Sequence, residues 1–245
     1  MWSAAMWGGI SGSAVLLGAL LALFLEIPKT IIGFIMAFGT GVLIGAATYE
    51  LVGESVQSGG LEPTLIGFLA GALVFTVLDW LVSARGGAGR KRSEGGKAAK
   101  GGAAGGLGIF IGTVMDAIPE SIMIGASLMS GEGVSLLLVI AIFISNIPEG
   151  LSSTFGLKKG GYAKGVIMLL WVSVLIISAL SSLGGYVFME HAGEYTTALI
   201  ASFAGGGIIA MVASTMMPEA YEEGGPFIGL MAALGLLASV VLDRL

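Results

Sequence analysis

Two neighbouring apolar segments each carry a carboxylate directly behind a proline: D-A-I-P-E-S at 116–121 and S-N-I-P-E-G at 145–150. Asp116, Glu120 and Glu149 are their acidic side chains, and neither segment supplies a Lys or Arg to balance them. An ionised group inside a bilayer costs at least about 3 kcal/mol and needs a counter-charge. Protons or a bound cation would supply it. Helical spacing puts Asp116 and Glu120 on one face, one turn apart, and does the same for Ser145 and Glu149, with Asn146 close to that face. An all-oxygen set of this kind suits a divalent ion and favours harder metals than imidazole or thiolate would. Pro119 and Pro148 lack an N–H and clash with the carbonyl four residues back. They are expected to kink their helices and free the Met115 and Ile144 carbonyls.

The elements that must hold these groups at membrane depth follow from composition. The 245-residue chain is 56% hydrophobic and 11% charged, with 42 glycines, and its mean hydropathy is +0.97. Such usage lies outside that of soluble domains. Apolar runs of the roughly 20 residues that cross a bilayer fall near 7–25, 31–52, 63–84, 107–129, 134–157, 163–187, 195–217 and 226–243. Backbone polar groups in lipid must be satisfied within their own segment, so the runs predict an all-α integral membrane protein. Eight transmembrane helices then form one multi-pass domain over 1–245. Residues 85–106, Gly-rich and basic, are expected to be a disordered cytoplasmic loop.

Charge sets the orientation. With the N-terminus outside, the inner connections hold Lys29, then Arg85, Arg90, Lys91, Arg92, Lys97 and Lys100, then Lys158, Lys159 and Lys164. That is ten of the eleven basic residues, and Arg244 alone remains outside. The positive-inside rule therefore predicts both termini outside; the plasma membrane is the location expected. Residues 1–25 lack a basic leading region and read as an ordinary span rather than a cleavable signal. The absence of cysteine excludes disulfides, thiolate metal sites and Cys nucleophiles.

An internal likeness adds to this. F-G-T-G-V-L-I-G-A-A-T-Y-E-L-V-G-E at 38–54 resembles F-A-G-G-G-I-I-A-M-V-A-S-T-M-M-P-E at 203–219, matching Phe38 with Phe203, Gly41 with Gly206 and Glu54 with Glu219 at one offset. The two lie in the second and seventh spans, which cross in opposite directions. That predicts an inverted-repeat bundle around central kinked helices four and five, with the substrate near the midplane.

These motifs resemble the ZIP (Zrt/Irt-like) family of divalent metal transporters over nearly the whole chain. Family members carry H-N-x-P-E-G in the fourth span and a related x-x-x-P-E or x-x-x-P-H motif in the fifth. The resemblance implies a metal site of Asp116, Glu120, Ser145, Asn146 and Glu149. Glu120 and Glu149 match the motif glutamates, and Pro119 and Pro148 the helix-breaking prolines. This sequence departs from the pattern where Asp116 replaces the family His, Ala117 the Asn after it, and Ser145 a His or Gln. The pocket is thus poor in histidine, which weakens the expectation of zinc selectivity. Thr215 stands where some relatives have a further carboxylate, implying one metal site rather than two.

Glu50, near the outer end of the second span, and Glu219, at the inner mouth, are candidate pathway residues. His191 is the sole histidine and falls in an outer connection, as a surface residue. The function expected is transport of divalent metal, zinc first and iron or manganese next, in the uptake direction. The metal is substrate, and no catalytic cofactor is expected. The remaining partner is the bilayer, with no nucleic acid, and a homodimer is left open. A proton-linked carrier of another small solute would want aromatic or cationic groups in its site. An intramembrane hydrolase would need a base or a second aspartate at depth. Asp116 is the only aspartate at depth and the sole histidine lies in a connection, so an enzyme is not expected; the proton-linked carrier stays as the alternative, with the acidic pocket arguing against anionic solutes.

Overall fold

The computed structural model describes residues 1–82, 102–128 and 133–244, and among these the only regular structure is helical. The α-helices are α1 (Trp2–Phe24), α2 (Lys29–Ala46), α3 (Glu54–Gly59), α4 (Leu61–Val82), α5 (Gly102–Ser127), α6 (Leu136–Lys159), α7 (Lys164–Met189), α8 (Glu194–Met211), α9 (Met217–Gly224) and α10 (Ile228–Leu242). A π-helical turn over Ala47–Gly53 carries α2 into α3, and a second over Val212–Met216 carries α8 into α9.

Among the described residues, seven helical stretches are long and apolar enough to cross a membrane, against the eight expected from the sequence. The difference lies at the C-terminal end, where Glu194–Leu242 forms one stretch of 49 residues. At about 1.5 Å per residue this would extend over more than twice a hydrocarbon core of about 30 Å. It is interrupted at Gly225, whose φ of 67° suits a residue without a Cβ, and a 3₁₀ turn over Gly225–Phe227 follows.

One expectation needs correcting. Residues 102–106, expected to be disordered as the end of the 85–106 loop, form the first turn and more of α5. Extending a nucleated helix adds one hydrogen bond per residue fixed, and this carries α5 back through G-A-A-G-G. The basic residues Arg85, Arg90, Lys91, Arg92, Lys97 and Lys100 lie outside the described residues.

Helix α6 is the centre of the molecule: 72% of its most apolar window is buried, against 17% for α4 and 28% for α7. It begins at Ser135, whose Oγ accepts from the Leu138 N–H at 3.1 Å, satisfying one orphan donor of the first turn. Lys158 and Lys159 close its last turn, where positive charge complements the helix dipole. Around it, close glycine contacts tie the helices into two groups. A methyl at Gly18 would strike the Ile147 carbonyl, and one at Gly150 the Val15 carbonyl, so α1 lies directly on α6. Gly125 meets the Ser182 carbonyl and Gly185 the Ile122 carbonyl, joining α5 to α7 in the same manner. In the second group, Gly41 and Gly235 abut the Ala232 and Phe38 carbonyls between α2 and α10, while Gly206 and Gly71 abut the Phe68 and Phe203 carbonyls between α8 and α4. Small residues of this sort let membrane helices approach backbone to backbone.

Candidate metal site

The five residues expected to bind metal are buried on two helices that pack against each other. On α5, Asp116 and Glu120 are each 2% exposed; on α6, Ser145, Asn146 and Glu149 are 1%, 4% and 5% exposed. Pro119 and Pro148 lie inside α5 and α6, and both helices run on through them. The Ser145 hydroxyl donates to the Ile142 carbonyl at 3.0 Å. This spends its single proton and leaves its lone pairs as acceptors. Close by, α2 presses Gly39 so near Ser145 that a methyl there would lie 3.0 Å from the Ser145 Cα. On the far side of α6, the Trp171 indole N–H donates to Thr154 Oγ1 at 2.8 Å and pins α7 in place.

Among the described residues, no three His, Cys, Asp or Glu side chains are gathered tightly enough to form a metal cage by themselves. Carboxylates alone therefore do not complete a ligand set in this conformation. The neutral oxygens of Asn146 and Ser145 stand on the same stretch of α6 as Glu149.

The two pathway candidates lie on other elements. Glu50 sits in the π-helical turn after α2 and hydrogen-bonds the Ser135 side chain at the start of α6, with Asp243 near enough to interact. Glu219 belongs to α9 and is only 4% exposed, where the sequence alone left an ordinary solvated loop equally open. The Ser152 hydroxyl donates to its Oε1, tying α9 to α6 one turn beyond Glu149. His191 is exposed in the turn between α7 and α8.

Sequence reasoning passed over three groups. Ser152 is one. Thr113 and Ser153, each 1% exposed, are the others, and their hydroxyls have no hydrogen-bond partner. Thr113 lies three residues before Asp116 and Ser153 four after Glu149, so helical spacing from the carboxylates was the available signal. A buried hydroxyl with nothing to bond costs about 1–3 kcal/mol, which water or an ion alongside would relieve.

Apolar helices of this length, enclosing buried acidic and hydroxyl side chains, define a multi-pass membrane protein. No protein-family model matches the chain. It is similar to a provisionally named zinc transporter of Arabidopsis thaliana, 26% identical over 213 residues, which cover 86% of this chain and 33% of that protein. It is also similar to zinc transporter SLC39A7 of Homo sapiens, 27% identical over 129 residues, and of Canis lupus familiaris, 29% identical over the same length. Each match covers 50% of this chain and 28% of the relative. The chain thus spans about a third of the length of the curated relatives it matches. These similarities bear out the resemblance to the ZIP family of zinc transporters.

Proposed function

We propose that this chain carries divalent metal cations, zinc first and iron or manganese next, across the plasma membrane in the uptake direction. Asp116, Glu120, Ser145, Asn146 and Glu149 are the central ligands. The observation that carries the reading is the burial of Asp116, Glu120 and Glu149 on two packed helices whose proline–glutamate segments contain no Lys or Arg. Similarity to proteins named as zinc transporters supports it, and so do the partnerless hydroxyls of Thr113 and Ser153 one turn away. Glu50 and Glu219 line the approaches on either side.

In this reading α8 with α9, and then α10, cross the bilayer separately, giving eight spans with the break at Gly225. An inverted repeat is supported by the paired glycine contacts. The contact of Gly41 with Ala232 has its counterpart in Gly206 with Phe68, and that of Gly18 with Ile147 in Gly185 with Ile122. The π-helical turns begin at Ala47 and Val212, separated by the same offset as Phe38 and Phe203.

Removing one charge from a buried ion site typically costs about 3–5 kcal/mol. Glu120→Gln or Glu149→Gln should therefore abolish uptake of Zn²⁺ into proteoliposomes while the protein still inserts, because an amide is easier to bury than a carboxylate. Uptake by either variant at near the wild-type rate would show that these carboxyls are structural.

A further inference from the structure

Several threonines of this chain settle their hydroxyls on the carbonyl one turn back. Thr48 donates to the Ile44 carbonyl at 2.7 Å, Thr64 to that of Gly60 at 2.8 Å and Thr76 to that of Ala72 at 2.7 Å. Thr40, in the middle of α2, does not. It is 0% exposed, and its hydroxyl has no hydrogen-bond partner although the Met36 carbonyl stands at the same spacing. A buried hydroxyl with nothing to bond lowers stability, and lipid offers no water to relieve it.

Helix geometry says where this hydroxyl stands. Gly39, one residue earlier, faces α6: a methyl on it would lie 3.0 Å from the Ser145 Cα. Gly33, seven residues earlier, faces α9: a methyl on it would lie 2.7 Å from the Gly224 nitrogen and 2.9 Å from the Ala220 carbonyl oxygen. Residues seven apart share a helix face, so Thr40 stands on the α9 side of α2, about 100° around from the contact with α6. The Ser152–Glu219 bond crosses the seam between α6 and α9, and Thr40 looks into that seam at the level of Ser145. Its neighbours on α2, Met36, Ala37 and Leu43, belong to one apolar cluster with Ile142 of α6 and Met216 of the second π-helical turn. The hydroxyl is a polar exception among them.

We propose that the Thr40 hydroxyl is a further ligand of the transported cation, supplied by α2 to the oxygens of α5 and α6. Among the described residues, acidic side chains alone do not complete a ligand set, and a hydroxyl adds a neutral, hard oxygen that favours manganese or iron relative to zinc. The glycine contacts group α2 with α10 and not with α1, α5, α6 and α7, so an ion held by Thr40 joins the two groups of helices. The inference rests on the transporter reading and adds to it a residue outside both proline motifs.

Thr40→Val keeps the shape and removes the oxygen. In detergent without metal it should unfold no earlier than the wild type, because only an unbonded hydroxyl is lost. In proteoliposomes its KM for Mn²⁺ should rise about tenfold and that for Zn²⁺ less, while Thr40→Ser should behave as the wild type. The cysteine-free chain gives a second readout that needs no transport. Titrated with Cd²⁺ in detergent, Thr40→Cys should show the ultraviolet charge-transfer band of a cadmium thiolate. The same variant carrying Glu120→Gln should need about tenfold more Cd²⁺, since both side chains would hold one ion. No band, a band indifferent to Glu120→Gln, earlier unfolding of Thr40→Val, or wild-type KM values for Thr40→Val overturns the proposal. If the band behaves as expected yet wild-type proteoliposomes take up no cation, the transporter reading fails and the Thr40 assignment stands.

Discussion

At the scale of single residues, the chemistry of the proposed site is set by what replaces histidine. Asp116 and Ser145 supply oxygen where the ZIP pattern has nitrogen, and a carboxylate–hydroxyl–amide set holds manganese and iron better relative to zinc than an imidazole set would. Zinc keeps its inherent advantage in the Irving–Williams order, so the effect is on the ratio. Asp116→His combined with Ala117→Asn should raise the ratio of Zn²⁺ to Mn²⁺ uptake in proteoliposomes several-fold. An unchanged ratio would mean that these two positions do not touch the ion. Thr113 and Ser153 extend the same polar face by one turn in each helix.

At the scale of elements, glycine decides which helices touch. Gly184 and Gly185 are neighbours on α7, yet only Gly185 meets a backbone: a methyl there would collide with the Ile122 carbonyl, whereas Gly184 has nothing within 4 Å. Gly185→Ala should force α7 away from α5. Overpacking of this kind typically costs about 1–3 kcal/mol, and thermal unfolding in detergent should occur at a clearly lower temperature. Gly184→Ala should be neutral or slightly stabilising, since alanine is better than glycine by roughly 1 kcal/mol inside a helix. Equal effects of the two substitutions would contradict the α5–α7 contact. The π-helical turns belong to this scale as well. Each adds a residue to its helix without breaking it, and such turns recur at functional sites. The first carries Glu50 and leads into Glu54; the second carries Thr215 and leads into Glu219.

At the scale of the whole molecule, polarity is distributed unevenly along the central path. In the register of the glycine contacts, Glu120 corresponds to Ser145, but Asp116 corresponds to Ala141 and Glu149 to Ile124. The carboxylates are thus displaced toward the end where Ser152 and Glu219 meet. Toward the other end the equivalent positions, Ile124 and Ala141, are fully buried and apolar. If the basic residues lie inside, the acidic end is the cytoplasmic one. A Ser93→Cys variant should then resist an impermeant maleimide in intact cells and react in inside-out membranes, while His191→Cys should do the reverse. Labelling of Ser93→Cys in intact cells would invert the whole orientation.

Much of this protein was legible without coordinates, because a bilayer leaves few choices. Long apolar runs must be helices, and an acidic side chain in such a run must be answered by something. Asp116, Glu120, Asn146, Ser145 and Glu149 could be read from helical spacing and the proline–glutamate repeat, and all five are buried. Contacts between helices were not legible, since they depend on where two backbones meet rather than on either sequence alone. The register relating α5 to α6, which separates the proline motifs by a turn, emerged only from glycines facing carbonyls across helices. The same holds for Glu219: its position beside charged neighbours suggests a solvated mouth as readily as a buried site. It is buried because α9 packs along α2, and because Ser152 of α6 offers it a proton.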